Sequence, residues 1–241
     1  MQQHFSAPEK YNLWPQASNH TRWPGTGVMG DPYFDAFFSS TVEFLNSSAA
    51  YQQKTVQAAG ASLLDRISKP VVLIGHSQGG IMPWLIADIR PHLVHSIINI
   101  EPTGPPFQDA VFTKNPARPY GLTDSPLTYD PPIATNPANE LVKQTLWSTT
   151  PAVSNCTIQA DSLSPRKLVN LKDIPVVVVT APASFHAVYD WCTVRYLVQA
   201  GVNATHFKLE DAGVHGNGHM IFLEENSDEV AELLMRVIDR T

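Results

Sequence analysis

The chain has few charged residues, no surplus of basic residues and only two cysteines. Of its 241 residues 16% are charged, and 16 Lys and Arg stand against 22 Asp and Glu, which gives a net charge of −6. A phosphate backbone needs a basic surface, so a nucleic-acid partner is disfavoured. The longest apolar runs, such as residues 175–181, fall far short of the roughly 20 residues of a membrane helix. We therefore expect no membrane span.

The sequence contains more glycan acceptor motifs than its Ser and Thr content would give by chance. The sequence opens with Met1-Gln2-Gln3-His4, which is not a signal peptide. Four Asn-x-Ser/Thr sequons, typical of secreted proteins, are present at Asn19, Asn46, Asn155 and Asn203. The sequons favour glycosylation and an extracytoplasmic location, whereas the missing signal peptide leaves a cytoplasmic location open.

Short aliphatic runs alternate with helical patterns along the chain. The runs cover residues 71–74, 96–100, 175–180 and 204–209, and the first three are continuous, as in strands buried on both faces. The helical patterns cover residues 81–89, 189–200 and 227–238. This alternation predicts one α/β domain over residues 1–241, with a mostly parallel sheet flanked by helices.

The segments around this core have a different character. Residues 1–30 show no strand pattern, and residues 31–67 contain two helical patterns. Between Glu101 and Pro151 lie 10 of the 20 prolines, with one helical pattern at residues 138–147. Long proline-rich inserts between strands are typically functional, so we predict a cap or lid at about residues 105–160.

A serine stands in a strand-turn-helix context directly after the first strand. Residues 75–79 read Gly-His-Ser-Gln-Gly, which is the G-x-S-x-G nucleophile elbow, and Gly80 follows. Small residues on both sides let the backbone turn sharply and lift the hydroxyl of Ser77 above the sheet. A phosphate-binding or purely structural turn is the alternative, but the lysine of a P-loop is missing. Ser77 is therefore the candidate nucleophile.

A serine needs a base, and the base needs a carboxylate that orients it. His219 follows the last strand between flexible glycines and precedes an apolar anchor, while His215 is its competitor. Glu101 directly follows the second strand, at the edge where the carboxyl ends of parallel strands gather. Asp190 and Asp211 are the alternative acids.

Several motifs together resemble the α/β-hydrolase superfamily, and within it the bacterial serine esterases and their fungal relatives. The similarity covers most of residues 5–240, and its motifs lie at residues 75–80, 101–107, 121–129 and 216–220. In that branch the acid is a glutamate after the strand that follows the nucleophile. The resemblance implies a triad of Ser77, Glu101 and His219, with the backbone N–H of Gln78 as an oxyanion donor and no metal or organic cofactor.

The sequence departs from this branch on its amino-terminal side. Members of the branch have about four strands before the nucleophile strand, and an early loop supplies a second oxyanion N–H. Residues 1–70 show neither feature. We therefore expect a fold that is incomplete on this side, with an unpaired edge at residues 71–74. Either the sequence is that of an amino-terminally truncated gene product, or a local rearrangement or a partner chain, as in a homodimer, covers the edge.

The expected function is that of a serine esterase acting on a small-molecule ester or lactone. An impaired hydrolase remnant, a binding module, and a biosynthetic enzyme that forms lactones or transfers acyl groups are the alternatives. Candidates for lining the substrate pocket are Phe107, Phe112, Leu127, Tyr129 and Trp147, together with His76 and His186. We also predict a disulfide between Cys156 and Cys192, which would brace the insert against the helix after the third strand.

Overall fold

The computed structural model describes residues 1–241 and places a four-stranded parallel sheet at the centre. The strands along the chain are β1 (Val71–His76), β2 (Val94–Ile100), β3 (Tyr129–Asp130), β4 (Lys143–Leu146), β5 (Cys156–Gln159), β6 (Lys167–Leu168), β7 (Val176–Thr180) and β8 (Ala204–Lys208). The α-helices are α1 (Pro32–Ser39), α2 (Ala49–Ile67), α3 (Met82–Ile89), α4 (Pro137–Glu140), α5 (Asp190–Gln199) and α6 (Ser227–Ile238). The central sheet has the order β1-β2-β7-β8, and all its neighbours are parallel. The predicted fold class is confirmed.

The two faces of this sheet pack against different helices. Ile97 and Val178 belong to the larger apolar cluster, which also contains residues of α2, α3 and α5. Ile98 and Val177 belong to a second cluster, which contains the apolar residues of α6. Since successive side chains of a strand point to opposite faces, the aliphatic runs of β2 and β7 fill both layers at once.

Polar residues fix where the first two helices begin. The Asp31 carboxylate accepts a hydrogen bond from Tyr33 N at 3.0 Å, and Ser48 Oγ accepts one from Tyr51 N at 3.2 Å. Both contacts satisfy N–H groups that have no partner within the helix. Helix α2 ends at Ile67, and the following residue, Ser68, has a φ of 49° that turns the chain toward β1.

Pro83 lies in the first turn of α3 and leaves the helix unbroken. A 3-10 turn, Ser77–Ile81, separates β1 from α3, so that Pro83 is the second residue of the helix. A proline at this position removes no hydrogen bond, because the first N–H groups of a helix are unpaired. The sequence pattern at residues 81–89 thus locates the helix to within one residue.

The insert between β2 and β7 contains two small antiparallel pairs, β3 with β6 and β4 with β5. The helix predicted at residues 138–147 is wrong, because α4 ends at Glu140 and residues 143–146 form β4. Pairing with β5 overrides the helical pattern there, since Lys143 and Leu146 lie opposite Gln159 and Cys156. That residues 105–160 act as a cap stays a prediction.

Residues 1–30 contain no strand, as predicted, and they form short helical turns that the sequence did not indicate. These turns are Gln2–Ser6, Pro8–Lys10 and Pro15–Asn19. With no strand before it, β1 is an edge of the sheet, and its Ile74 is 59% exposed. Whether a second copy pairs with this edge stays a prediction.

The surface carries the four sequon asparagines, and glycosylation of these residues stays a prediction. Each of them is exposed: Asn19, Asn46, Asn155 and Asn203. None of the helices combines the length and the apolar character that crossing a bilayer requires.

The predicted disulfide is present and joins β5 of the insert to α5. Cys156 and Cys192 are separated by 36 residues and are both buried. A crosslink that closes a loop of this length restricts the unfolded chain and contributes about 3–4 kcal/mol. We expect a double variant, Cys156→Ser with Cys192→Ser, to lose a free energy of unfolding of this size in urea titrations.

Reductant supplies the control for this measurement. It should bring the wild-type protein to the stability of the double variant and leave the variant unchanged. Equal unfolding midpoints without reductant, or two titratable thiols in denatured and unreduced wild-type protein, would contradict the prediction.

Candidate active site

The sharp turn after β1 holds Ser77 in a left-handed conformation. Its φ is 55°, a value that costs about 1–3 kcal/mol for a residue with a side chain and persists only where the surroundings enforce it. Here the carbonyl of Ser77 accepts a bond from Thr103 N at 3.0 Å, and Asn99 Nδ2 donates to the carbonyl of Gly80 at 2.9 Å. A Cβ on Gly80 would lie 2.7 Å from Pro102 Cα, so the close approach requires glycine.

Three side chains from distant parts of the chain meet at this turn. The Oγ of Ser77 lies 2.8 Å from Nε2 of His219, and Nδ1 of His219 lies 2.5 Å from Oε2 of Glu101. Glu101 is separated from His219 by 118 residues and Ser77 by 142. Hydroxyl, imidazole and carboxylate thus form a continuous hydrogen-bonded chain, which is the arrangement that activates a serine.

Glu101 is fully buried and accepts three hydrogen bonds. Besides His219, its carboxylate accepts from Ala181 N at 2.8 Å and from Ser184 Oγ at 2.8 Å. Burial alone would raise the pKa of Glu101, but the bond with His219, the electrostatic influence of the neighbouring histidine rings and the Ala181 N–H together lower it below its ordinary value. The carboxylate is therefore ionised and oriented toward the imidazole.

The alternative residues lie elsewhere. His215 and Asp211 are exposed, and the carbonyl of His215 accepts a bond from Arg22 Nε at 3.0 Å. Asp190 is buried but contacts Thr180 Oγ1 at 2.7 Å and His186 Nδ1 at 3.0 Å rather than His219. Among the candidate bases and acids, the structure thus brings His219 and Glu101 to Ser77.

His186 and Asp190 form a second pair directly beside the first. The His186 ring stacks on the His219 ring at a centroid distance of 4.9 Å and an interplanar angle of 1°. Burial, together with the charge of Glu101, raises the pKa of Asp190 well above its ordinary value, and burial keeps the pKa of His186 well below it. Both shifts favour the neutral forms of Asp190 and His186, and the neutral form of Asp190 places no second negative charge next to Glu101.

A cavity of about 260 Å³ opens next to Gln78. Gln78 is exposed and lies in the first turn of the 3-10 segment, where backbone N–H groups have no acceptor within the turn. Ile81, Met82 and Thr103 also line the cavity, together with Arg118. Because no strand precedes β1, residues 1–70 contain no loop at the end of an earlier parallel strand that could provide a second donor.

Two aromatic rings lie next to the ring of His219, and further aromatic rings contact them. The Phe5 ring lies 5.5 Å from the His219 ring, and the Phe185 ring lies 4.8 Å from it. Phe112 contacts Phe185 at 5.2 Å, and Trp14 contacts both Phe112 and Phe185 at about 6 Å. We call Phe5, Trp14, Phe112 and Phe185 the aromatic cluster.

Most of the predicted pocket residues do not line this site. Phe107, Leu127 and Tyr129 belong to the buried core, where Tyr129 Oη lies 2.6 Å from Tyr196 Oη. Trp147 is 77% exposed at the end of β4. The structure thus uses Phe107, Leu127 and Tyr129 for packing in the larger apolar cluster and leaves Trp147 on the surface.

Phe112, His76 and His186 do lie near the triad. His76 Nε2 donates to the carbonyl of His219 at 3.0 Å, and its ring lies 4.6 Å from the His219 ring. Sequence reasoning missed Phe5, Trp14 and Phe185. Trp14 reaches the site through a bond from its Nε1 to the carbonyl of Ala183, a separation of 169 residues that no local pattern encodes.

The side chains next to Ser77 include a potential set of metal ligands. One ligand atom each of His76, Glu101 and His219 lies within 4.8 Å of the others. Both nitrogens of His219 are already engaged, however, with Ser77 and with Glu101. The hydrogen-bonded chain accounts for this cluster.

The buried charge of Glu101 leads to a stability prediction. Glu101→Gln turns an amide N–H toward one of three donors, so we expect a loss of about 1–3 kcal/mol at pH 7 in urea titrations. Since the folded pKa is lowered, this stabilisation is present above the unfolded pKa and is lost as pH falls through the folded pKa. The difference between variant and wild type should therefore shrink on acidification. The exposed Glu232→Gln is the control, and a difference that does not depend on pH would contradict the prediction.

Comparisons with known proteins show what this chain is similar to. The profile of the alpha/beta hydrolase family matches residues 19–233. A protein of Fungal sp. (strain ATCC 74256) described as "Probable secreted lipase phiG" is 42% identical over 230 residues, which are 95% of this chain and 62% of that protein. The chain thus spans less than two thirds of the length of this relative.

Solved structures with low sequence identity also align with the chain. A bacterial esterase covers 86% of this chain with 49% of its own, at a TM-score of 0.49 and 19% identity. A monoacylglycerol lipase of Paleococcus ferrophilus covers 76% of this chain with 74% of its own, at a TM-score of 0.38 and 13% identity. The profile match, which extends over most of the residues, shows that the chain belongs to the alpha/beta hydrolase family.

Proposed function

We propose that this protein is a serine hydrolase that cleaves carboxylic esters or lactones of apolar small molecules. The observation that carries the proposal is the hydrogen-bonded chain from Ser77 through His219 to the buried Glu101. The similarity to a protein described as a lipase supports ester hydrolysis as the reaction type. Ser77 is half-buried and Gln78 is exposed, so a substrate can reach the nucleophile.

Each member of the triad has one role in the reaction. His219 Nε2 removes the proton of Ser77 as its Oγ attacks the ester carbonyl, and the ionised Glu101 stabilises the imidazolium that forms. The N–H of Gln78 donates to the oxyanion of the tetrahedral intermediate. His219 then returns the proton to the leaving alcohol, and water attacks the acyl-enzyme by the same route in reverse.

The position of the aromatic cluster indicates which part of the substrate is apolar. The leaving oxygen has to lie near His219 Nε2 to receive the proton, so the alcohol part of the ester extends along the side of His219. Phe5 and Phe185 flank the ring there, and Phe112 continues the apolar surface outward. The cavity beside Gln78 then receives the acyl part. We therefore infer a preference for esters of large apolar or aromatic alcohols.

A fluorophosphonate probe tests the nucleophile. We expect folded wild-type protein to be labelled at Ser77, and Ser77→Ala to lose both labelling and the hydrolysis of p-nitrophenyl esters. The exposed Ser62→Ala is the matched control and should behave as wild type. Unlabelled Ser77, under conditions that label another serine esterase, would refute the proposal. Labelling without turnover above that of Ser77→Ala would identify an impaired hydrolase instead.

Phe112 tests the orientation of the substrate. Its ring is 40% exposed and contacts the cluster rather than the triad, so Phe112→Ala should leave the chemical step intact. For a benzyl ester we expect kcat/KM to fall about tenfold, which corresponds to about 1.4 kcal/mol of lost apolar burial. For the methyl ester of the same acid it should change less than twofold. Trp147→Ala is the control, and an equal loss for both esters would contradict the assignment.

A further inference from the structure

His20 is a buried histidine that the proposed mechanism does not use. It is 3% exposed, and both of its ring nitrogens face carboxylates: Nδ1 lies 2.9 Å from Oε2 of Glu9, and Nε2 lies 3.0 Å from Oε1 of Glu224. Burial alone would lower the pKa of His20, but the bonds and charges of Glu224 and Glu9 raise it above its ordinary value. A protonated ring donates to both carboxylates, so His20 bridges them as an imidazolium.

Glu224 connects this bridge to the loop that carries His219. Its Oε1 accepts a bond from Gly218 N at 2.8 Å, and its Oε2 accepts one from Asn217 Nδ2 at 2.7 Å. Glu224 itself is buried. Asn217 and Gly218 directly precede His219, so the carboxylate fixes the backbone from which the imidazole projects.

The glycines of this loop are required by the same contact. A Cβ on Gly218 would lie 2.9 Å from Cδ2 of His20, and a Cβ on Gly216 would overlap the hydroxyl of Thr21. Gly216 also has a φ of 83°, and its carbonyl accepts a bond from Thr21 N at 2.9 Å. The loop therefore docks closely on residues 20–22, which belong to the amino-terminal segment.

We propose that Glu224 is a positioning residue for His219 and that His20, itself held by Glu9, keeps Glu224 in place. Glu101 orients the ring through Nδ1, whereas Glu224 acts through the backbone of Gly218 and touches neither the ring nor Ser77. The inference rests on the proposed role of His219 as the base. A displacement of about 1 Å in such a group can cost on the order of 100-fold in rate.

Because the bridge depends on the charge of His20, the support that it gives to His219 depends on pH. The charged side chains that face the ring are Glu9, from the Pro8–Lys10 turn, and Glu224, from the loop after His219. Because the folded pKa is raised, the bridge is fully formed below the unfolded pKa and is lost as pH rises through the folded pKa. A neutral ring donates from only one nitrogen, and its other lone pair then faces a carboxylate.

Kinetics of four variants test the proposal. We expect Glu224→Gln and His20→Gln to lower kcat for a p-nitrophenyl ester about 10- to 100-fold, with KM changed less than twofold. Glu225→Gln removes an exposed neighbouring carboxylate and should behave as wild type. The ratio of kcat between wild type and His20→Gln should shrink as pH rises. The kcat of the double variant should equal that of the less active single variant, because both residues act through one network.

The outcomes separate this inference from the proposed function. Wild-type protein that fails to label at Ser77 with the fluorophosphonate contradicts the proposed function, and the inference fails with it. If wild type is labelled and active while Glu224→Gln and His20→Gln retain wild-type kcat, the inference alone is overturned. A loss of activity that only matches a loss of folded protein in circular dichroism melts, with kcat per folded molecule unchanged, also overturns it.

Discussion

The buried charge of Glu101 is the constraint around which the site is built. A carboxylate without access to water is unfavourable unless donors compensate it, and here His219, Ser184 and the Ala181 N–H do so. The pKa values of the two buried neighbours are shifted toward the neutral forms, upward for Asp190 and downward for His186. A second ionised carboxylate at Asp190 would repel Glu101, and the raised pKa of Asp190 favours the form without that charge. His186 stacks on the ring of His219 and bonds to Asp190 rather than to Glu101.

The amino-terminal segment contributes to this site although it contains no strand of the sheet. Phe5 stacks on His219, Trp14 bonds to the loop after β7, and His20 contacts Glu224 in the loop after His219. One of these contacts reaches the ring of His219, and the other two reach loops of the candidate site. Residues 1–30 have no repeating pattern in the sequence. They pack over two loops, and such packing requires particular side chains at particular points.

The sequence predicted those parts of the structure that depend on local geometry. The turn at Ser77 needs glycine at position 80, where the chain passes close to Pro102. Glu101 directly follows the aliphatic residues of β2. Both features can be recognised from a few neighbouring positions in the sequence. The strand at residues 143–146 and the burial of Phe107 were not predictable in this way. They depend on pairing with β5 and on packing against α5, which join residues far apart in the chain. Propensity is a weak guide where tertiary contacts decide.

Two carboxylates, Glu101 and Glu224, therefore act on His219, one through its ring and one through its backbone. The two contacts respond to pH in opposite directions. The pKa of Glu101 is lowered, so its bond to the His219 ring weakens only as pH falls through that value. The pKa of His20 is raised, so the support that reaches His219 through Glu224 weakens as pH rises through that value. Between the two limits both contacts are formed together. The orientation of His219 is thus best defined over a limited range of pH. This range ends on the acid side where Glu101 gains a proton and on the alkaline side where His20 loses one.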